Sequence, residues 1–399
     1  MRILQINTTV NSGSTGRIAE DIGKTLISAG HESHIAFGRG KQKSNSKLIK
    51  IGNKLDFYLH VIRSLFTDRH GFGSKRATKK LLKEIDIIKP DAIGLHNIHG
   101  YYLNVELLFK YIQNKNIPIL WTFHDCWPFT GHCSYNTNCD NCKNCQRKYP
   151  TSVFLNQTTR NYNDKKLIFN QVKKLQIITP SIWLKGLVNQ SFLNYPVKCI
   201  NNGIDLNQFK PTEYYLKLKD KLHLHNKKII LGVASKWDKR KGLSDFTQLA
   251  SLLDSNYQII LIGLSTKQIQ GLPENIMGVQ RTESISELAN YYSMAAVYIN
   301  PTHKDNFPTT NIEALACGTP VITYDTGGSP ESIDDETGKV VQKGDVIGLC
   351  SAVQELALEP REQYAKLCRM RAEQLFNKDD RYQEYLKLYE NLTSISVKV

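Results

Sequence analysis

Along this chain, short apolar runs alternate with longer stretches in which apolar residues return every third or fourth position. The runs at residues 3–6, 92–95, 117–123 and 175–179 read as strands buried on both faces, as do those at 229–234, 258–263, 295–299 and 321–324. Between them the spacing predicts helices. One starts at Arg17, places Ile18, Ile22 and Leu26 on one face and stops at Gly30; others cover 77–88, 105–113, 242–253 and 285–292. Alternation of this kind predicts parallel sheets covered by helices on both sides. The scheme runs twice without a close sequence repeat, and the turn signal Asn201-Asn202-Gly203-Ile204-Asp205 falls between the two runs. The expected fold class is therefore α/β, with one doubly wound domain over residues 1–200 and a second over 201–378. A tail helix over 379–392 carries Tyr382, Tyr385 and Tyr389.

In open parallel sheets, ligands bind beyond the carboxyl ends of the strands. Those ends hold His96-Asn97, His124-Asp125, Ser181, Ser235-Lys236 and the loop carrying Asp305. Two such edges facing each other would form a cleft. The last loop is the most informative, because Asp305 and Glu313 stand eight positions apart, one in the loop and one just inside a short helix. Thr309 or Thr310 is expected to cap that helix, and Gly318 to end it in the left-handed conformation. Backbone N–H groups at its start form an anion site, and Glu313 can accept hydrogen bonds from two vicinal hydroxyls. Phosphate and diol held side by side describe a sugar nucleotide, with Asn306, Phe307, Pro308, Thr309 and Thr310 around it. The cluster Lys236-Trp237-Asp238-Lys239-Arg240-Lys241-Gly242 follows another strand end. There Lys236, Arg240 and Lys241 could neutralise a departing diphosphate; a solvated run of charge is the plain alternative. In the loop Gly13-Ser14-Thr15-Gly16-Arg17, amides near Gly16 could approach a diphosphate, although the loop lacks the G-x-G-x-x-G fingerprint. His96, Asn97, His99, Tyr101 and Tyr102 suit a sugar acceptor or simple loop packing.

Charge changes the picture on one side only. Residues 1–200 carry 29 Lys and Arg against 12 Asp and Glu, a balance of +17, whereas residues 201–399 carry 23 against 25, a balance of −2. This asymmetry points to an anionic partner for the first half, a nucleic acid or an acidic membrane surface, unless it is only a solvated face. No RNA-recognition, zinc-finger or helix-turn-helix signature favours nucleic acid. Across residues 57–83, apolar Tyr58, Leu59 and Ile62 interleave with Arg63, Lys75 and Lys79, which suits a membrane interface. Phe57, Leu65 and Phe66 are the expected insertion points. No apolar run reaches the roughly 20 residues that span a bilayer. The first strand leaves no room for a signal peptide, so the expected location is cytoplasmic, peripheral on the inner face of the cytoplasmic membrane.

Five of the nine cysteines fall within twenty residues. Cys133, Cys139, Cys142 and Cys145 are spaced like structural zinc ligands. An iron–sulfur cluster would need four cysteines too, and free thiols are the third reading.

The acid-x7-acid helix from Asp305 to Glu313, the pair Lys241-Gly242, the link Asn202-Gly203-Ile204-Asp205 and the N-terminal glycine loop together resemble glycosyltransferase family 4 over nearly the whole chain. The run from Trp121 to Cys133 resembles its bacterial subgroup for colanic-acid-type and other surface polysaccharides. The resemblance implies the GT-B architecture: two Rossmann-like domains facing a central cleft, the donor bound mainly by the second, and residues 379–399 returning to the first. It implies a retaining enzyme that moves a sugar from a UDP- or GDP-sugar to a saccharide acceptor, lipid-linked, in capsule, exopolysaccharide or O-antigen biosynthesis. It also implies no obligatory catalytic metal, and the sequence has no Asp-x-Asp motif. By the same resemblance His124 lies against the donor sugar, Asp305 stands where the family usually has Glu, Glu313 holds the ribose and Lys241 faces the leaving diphosphate. Ser235 occupies the place of the family's usual Arg, so Lys236 or Arg240 is expected to substitute for it. Three other classes compete. An epimerase would turn over donor alone, a nucleic-acid-binding protein would bind salt-sensitively without turnover, and a catalytically lost module would bind donor and release nothing.

Overall fold

The computed structural model describes residues 1–135 and 152–394 of the chain. It divides into two compact units, one of Met1–Ile200 with Asp379–Val399 and one of Asn201–Lys378. The first is built on a seven-stranded sheet of β1 (Arg2–Asn7), β2 (Glu32–Phe37), β3 (Lys47–Lys50), β4 (Ala92–Leu95), β5 (Ile119–Thr122), β6 (Leu175–Thr179) and β7 (Val197–Cys199). Their order is β3-β2-β1-β4-β5-β6-β7, and every pairing is parallel. The second unit has six parallel strands: β8 (Lys228–Val233), β9 (Tyr257–Ile262), β10 (Ile276–Val279), β11 (Val297–Asn300), β12 (Val321–Tyr324) and β13 (Gly338–Val341), in the order β10-β9-β8-β11-β12-β13. In each sheet the order reverses once, between β1 and β4 and between β8 and β11. Such a switch point is where a doubly wound sheet opens a crevice for a ligand.

Alternate strand residues feed two separate cores, as expected for a sheet covered on both faces. In the first unit Leu4, Ile93, Ile119 and Trp121 face one core, while Ile3, Ala92, Leu120 and Ile178 face the other. The second core is completed by Tyr382, Tyr385, Leu386 and Tyr389 of the helix Lys378–Ser394. Lys198 pairs with Glu384 of that helix at 2.8 Å. In the second unit Leu231, Ile260 and Tyr298 face one core and Ile230, Ile259, Leu261 and Ile299 the other. Around the Asn-Gly link, Ile204 N–H donates to Phe376 O at 2.7 Å and Lys378 pairs with Asp205 at 2.5 Å. Gly203 is required there, since a Cβ would lie 2.4 Å from Lys378 Cα.

Two features differ from the sequence reading. The first helix spans Gly13–Ser28, so the expected loop Gly13-Ser14-Thr15-Gly16-Arg17 is its first turn. Gly16 allows this, because a Cβ there would sit 2.7 Å from Thr9 Oγ1 and 3.2 Å from Asn11 N. Strands β2, β3, β7, β10 and β13 had no apolar run to announce them. Four of these are the sheet edges, which bury less and so need fewer apolar residues.

Candidate functional site

In the second unit the chain leaves β8 into a loop pinned by Trp237, whose indole N–H donates to Ile262 O at 2.9 Å. Asp238 then caps the turn Lys239–Lys241, accepting from Arg240 N at 3.0 Å and Lys241 N at 3.2 Å. Gly242 follows with φ +74°, and its missing Cβ lets Pro301 O approach, since that atom would sit 2.3 Å away. This close fit lays the loop after β8 against the loop after β11. His303 N–H donates to Arg240 O at 2.8 Å, and the Arg240 guanidinium donates to Lys304 O at 2.8 Å. Lys241 Nζ lies 2.6 Å from Asp305 Oδ2, with Arg240 at 3.6 Å from the same oxygen. Two cations and one carboxylate thus converge at the switch point. Lys236 is exposed and has no ion pair among the described residues.

The helix after this loop spans Thr309–Ala316. Neither threonine caps it; the N-cap is Pro308, extended at φ −72° and ψ 119°, whose ring has no group to make a side-chain bond. At a helix start the leading amides lack intrahelical acceptors, and the N–H groups of Thr309 and Thr310 follow Asp305 by four and five residues in the chain. Gly318 ends the segment with φ +75°, as expected. Phe307 is a core residue packed on Phe376, with ring centroids 5.8 Å apart, so its side chain is not part of a donor surface. Asn306 and Pro308 are buried, and Thr309 and Thr310 are half-buried.

Glu313 is 5% exposed and accepts a hydrogen bond from the Tyr292 hydroxyl at 2.9 Å. Burial, reinforced by the charge on Glu313, pushes the Tyr292 phenol far above its ordinary range, so it remains a donor. Asn311 ties the same helix to β11, accepting from Asn300 Nδ2 at 2.8 Å and donating to Ser332 Oγ at 2.9 Å. Asp245 accepts from both Tyr324 OH, at 2.8 Å, and His303 Nε2, at 3.0 Å. Tyr292, Asn311, Asp245 and Tyr324 were not singled out from the sequence. Each sits inside a helix or strand where its spacing reads as ordinary core.

In the first unit the ends of β4 and β5 border a small, partly open depression lined by His96, Asn97, His99, Phe123, His124 and Asp125. A chain of hydrogen bonds fixes its histidines. Gln5 Nε2 donates to Ala19 O at 2.8 Å, which leaves Gln5 Oε1 to accept from His96 Nε2 at 2.9 Å. The bare Nδ1 of neutral His96 then accepts from His124 Nε2 at 3.2 Å. Burial holds His96 well below the ordinary histidine range and brings His124 down to about 4, so both are neutral near pH 7. His99 Nε2 meets Asp125 Oδ2 at 2.6 Å, and Asp125 Oδ1 accepts from Trp127 N at 2.9 Å. Burial alone would raise the Asp125 carboxyl, but His99, the Trp127 N–H and His124 together outweigh it and the net shift is downward. Tyr101, with φ +66°, packs against His70 and His60 and does not line the depression; Tyr102 is buried with its hydroxyl on Asn97 O.

Cys133 is buried, while Cys139, Cys142 and Cys145 lie outside the described residues. Among the described residues no group of three or more His, Cys, Asp or Glu side chains is placed to hold a metal ion, and no helix is long and apolar enough to cross a membrane.

Residues 15–208 match the family described as Glycosyltransferase Family 4, and residues 227–359 the family described as Glycosyl transferases group 1. The chain is 23% identical, over 98% of its length and 100% of the relative's, to WcaC of Escherichia coli (strain K12), provisionally named a colanic acid biosynthesis glycosyl transferase. Over 48% of its length, and 53% of the relative's, it is 25% identical to the N,N'-diacetylbacillosaminyl-diphospho-undecaprenol alpha-1,3-N-acetylgalactosaminyltransferase of Campylobacter jejuni. The solved structure of Anabaena Alr3699/HepE in complex with UDP superposes with a TM-score of 0.73 at 14% identity, covering 98% of this chain and 100% of that one. The Anabaena structure shares the GT-B fold, and with both halves matched in order by the two family models the chain belongs to the glycosyltransferases of family 4.

Proposed function

We propose that the protein is a retaining glycosyltransferase that takes a sugar from a UDP- or GDP-sugar and adds it to a lipid-linked saccharide during synthesis of a bacterial surface polysaccharide. The observation that carries this reading is the convergence of Lys241, Arg240 and Asp305 next to an open helix start and the buried Glu313. Glu313, steadied by Tyr292, takes the ribose hydroxyls. The amides of Thr309 and Thr310 take the diphosphate, and the first turn around Gly16 offers amides suited to the same group. Asp305 exchanges its bond with Lys241 for hydroxyls of the donor sugar, which frees Lys241 to meet the leaving diphosphate. Arg240, already folded onto the Asp305 loop, supplies the second cation that Ser235 lacks; Lys236 is a more distant candidate.

The acceptor hydroxyl then attacks the anomeric carbon from the face on which the diphosphate departs. As the C–O bond to the diphosphate breaks and the new glycosidic bond forms, a phosphate oxygen takes the hydroxyl proton. Neutral His124, whose Nε2–H is committed to His96 in the tautomer set through Gln5, accepts from a donor-sugar hydroxyl at its unprotonated Nδ1, and His96 and Asn97 border the sugar. Fixed dipoles and charges of this sort act without reorganising during the reaction. The lipid-linked acceptor and the polysaccharide pathway are supported by what the two bacterial relatives are named for, and UDP by the Anabaena complex. The anionic bilayer that bears such an acceptor is the partner of the basic unit. We also assign Cys133, Cys139, Cys142 and Cys145 to a structural zinc ion. Nucleoside diphosphate release, measured over a panel of sugar nucleotides with and without lipid-linked saccharides, tests the reading. Acceptor-dependent release supports it; equal consumption of donor without acceptor replaces it with an epimerase.

A further inference from the structure

The helix Lys54–Thr67 is built inside out. Its buried residues are the polar pair His60 and Ser64, one turn apart. Its outward face carries Leu55, Tyr58, Leu59, Ile62 and Phe66, which are 65%, 60%, 56%, 50% and 51% exposed. Their spacing of three, four, seven and eleven positions is one continuous stripe. On the inward side the His60 ring is held at both nitrogens: Nε2 accepts from Gly73 N at 3.1 Å, and Nδ1 bonds Ser74 Oγ at 2.8 Å. A helix facing only water would be expected to turn the other way.

A second apolar element is fastened beside it. Val153, Phe154 and Leu155 are 63%, 62% and 46% exposed. Val153 N–H and Ser152 Oγ both donate to Leu65 O, at 2.9 and 3.0 Å, and the Phe154 ring stacks on Phe66 at 4.9 Å and 4°. Eight large side chains about half exposed make a patch on the order of 600 Å², at the upper end of what a monomer normally shows to water. Phe57 and Leu65, expected to insert, are instead half-buried; Phe57 packs on Tyr101. The rim is basic. Lys54 and Arg63 are exposed on the helix, and Lys75, Arg76, Lys79 and Lys80 are exposed on the next one, Lys75–Ile88, whose start His60 holds through Ser74.

We infer that this stripe, with residues 153–155, is a monotopic docking surface that inserts shallowly into an anionic lipid bilayer while the surrounding cations contact its headgroups. Apolar insertion ringed by Lys and Arg is the composition that binds such an interface. Tyr58 has the amphipathic shape favoured at headgroup depth. Charge selects the bilayer over a second copy of the chain, because two copies meeting here would each bring residues 1–200, of balance +17. The need for a lipid partner rests on the proposed lipid-linked acceptor; the surface itself does not.

The test is co-sedimentation of the full chain with vesicles of phosphatidylcholine, with or without about one-third phosphatidylglycerol. It is run at low salt and at about 1 M salt, where the Debye length falls to about 3 Å. Binding is expected only with the anionic lipid and mostly reversed by salt. The variant Leu59→Ser/Ile62→Ser/Phe66→Ser is expected to lose at least about tenfold in binding while keeping its circular dichroism and its nucleotide release on a water-soluble acceptor. Equal binding to both vesicles, binding to neither, or full binding by the variant overturns the proposal. So does a concentration-dependent dimer that the variant abolishes, which would make the patch a contact between copies. Vesicle binding without sugar transfer would fault the proposed function alone, and transfer to a soluble acceptor without vesicle binding would fault the surface alone.

Discussion

Tyr292→Phe isolates one hydrogen bond. The ring keeps its contacts with Tyr298 and Phe209, at 5.5 and 6.3 Å between centroids, and only the hydroxyl 2.9 Å from Glu313 Oε2 is removed. A hydrogen bond to a charged acceptor is worth about 1.5–3 kcal/mol, and this one is fully buried, so little of it is returned by water. Two effects should follow. For a unit of this size each kcal/mol lowers Tm by roughly 2–4 °C, giving an expected fall of about 3–12 °C in thermal denaturation. The same bond orients the carboxylate toward the ribose, and loosening it should weaken UDP or GDP binding about tenfold, equivalent to about 1.4 kcal/mol in calorimetric titration. If the variant melts and binds nucleotide like the parent, Glu313 is not held by Tyr292 and the ribose assignment loses its support. Destabilisation without a change in affinity would make Tyr292 a packing residue only.

Other perturbations give separate checks. Lys241→Met should lower kcat on the order of 100-fold with the fold intact, as loss of one charge facing the leaving group does, whereas Asp305→Glu should keep activity within a few-fold; steady-state rates decide both. Protein purified without chelators should carry about one zinc per chain by elemental analysis; a fully folded, active, metal-free preparation contradicts this, and iron with visible absorbance reassigns the cysteines. Stability should fall on acidification between about pH 6.5 and pH 4. Burial keeps His60 and His124 neutral until about pH 4, so over that interval the unfolded chain binds more protons than the folded one and unfolding gains with each step down. For His60 alone this amounts to at most about 3 kcal/mol. A urea midpoint unchanged from pH 7 to pH 4.5 would refute it.

The central strands were legible because each is buried on both faces and must be written as an apolar run; Ala92–Leu95, Leu175–Thr179 and Val321–Tyr324 coincide with the runs at those positions. Edge strands such as Lys47–Lys50 bury little and leave no such trace. The helix start at Gly13 was hidden because its reason is a tertiary contact, the close approach of Thr9 to Gly16. At the site, Asp305, Lys241 and Glu313 could be found by spacing, since loop ends after strands are where chemistry collects. Arg240 and Lys236 could not be ranked, because tertiary contacts such as those to Lys304 O and Asp305 separate a folded-in cation from a solvated one. The supporting groups Tyr292, Asp245 and Gln5 lie in regular elements, where a polar residue that orients another looks like any partly buried position. The outward stripe on Lys54–Thr67 was visible as apolar spacing, but its direction was not, because periodicity names a face and cannot say which way it points.

The most direct test follows a sugar from donor to acceptor. With a lipid-linked saccharide present, one of the UDP- or GDP-sugars should release its nucleoside diphosphate in step with product. Nuclear magnetic resonance of that product should show the anomeric configuration of the donor, and both signals should fall together in Lys241→Met. Product of inverted configuration would contradict attack on the face from which the diphosphate departs, and donor consumed at one rate with or without acceptor would contradict glycosyl transfer itself.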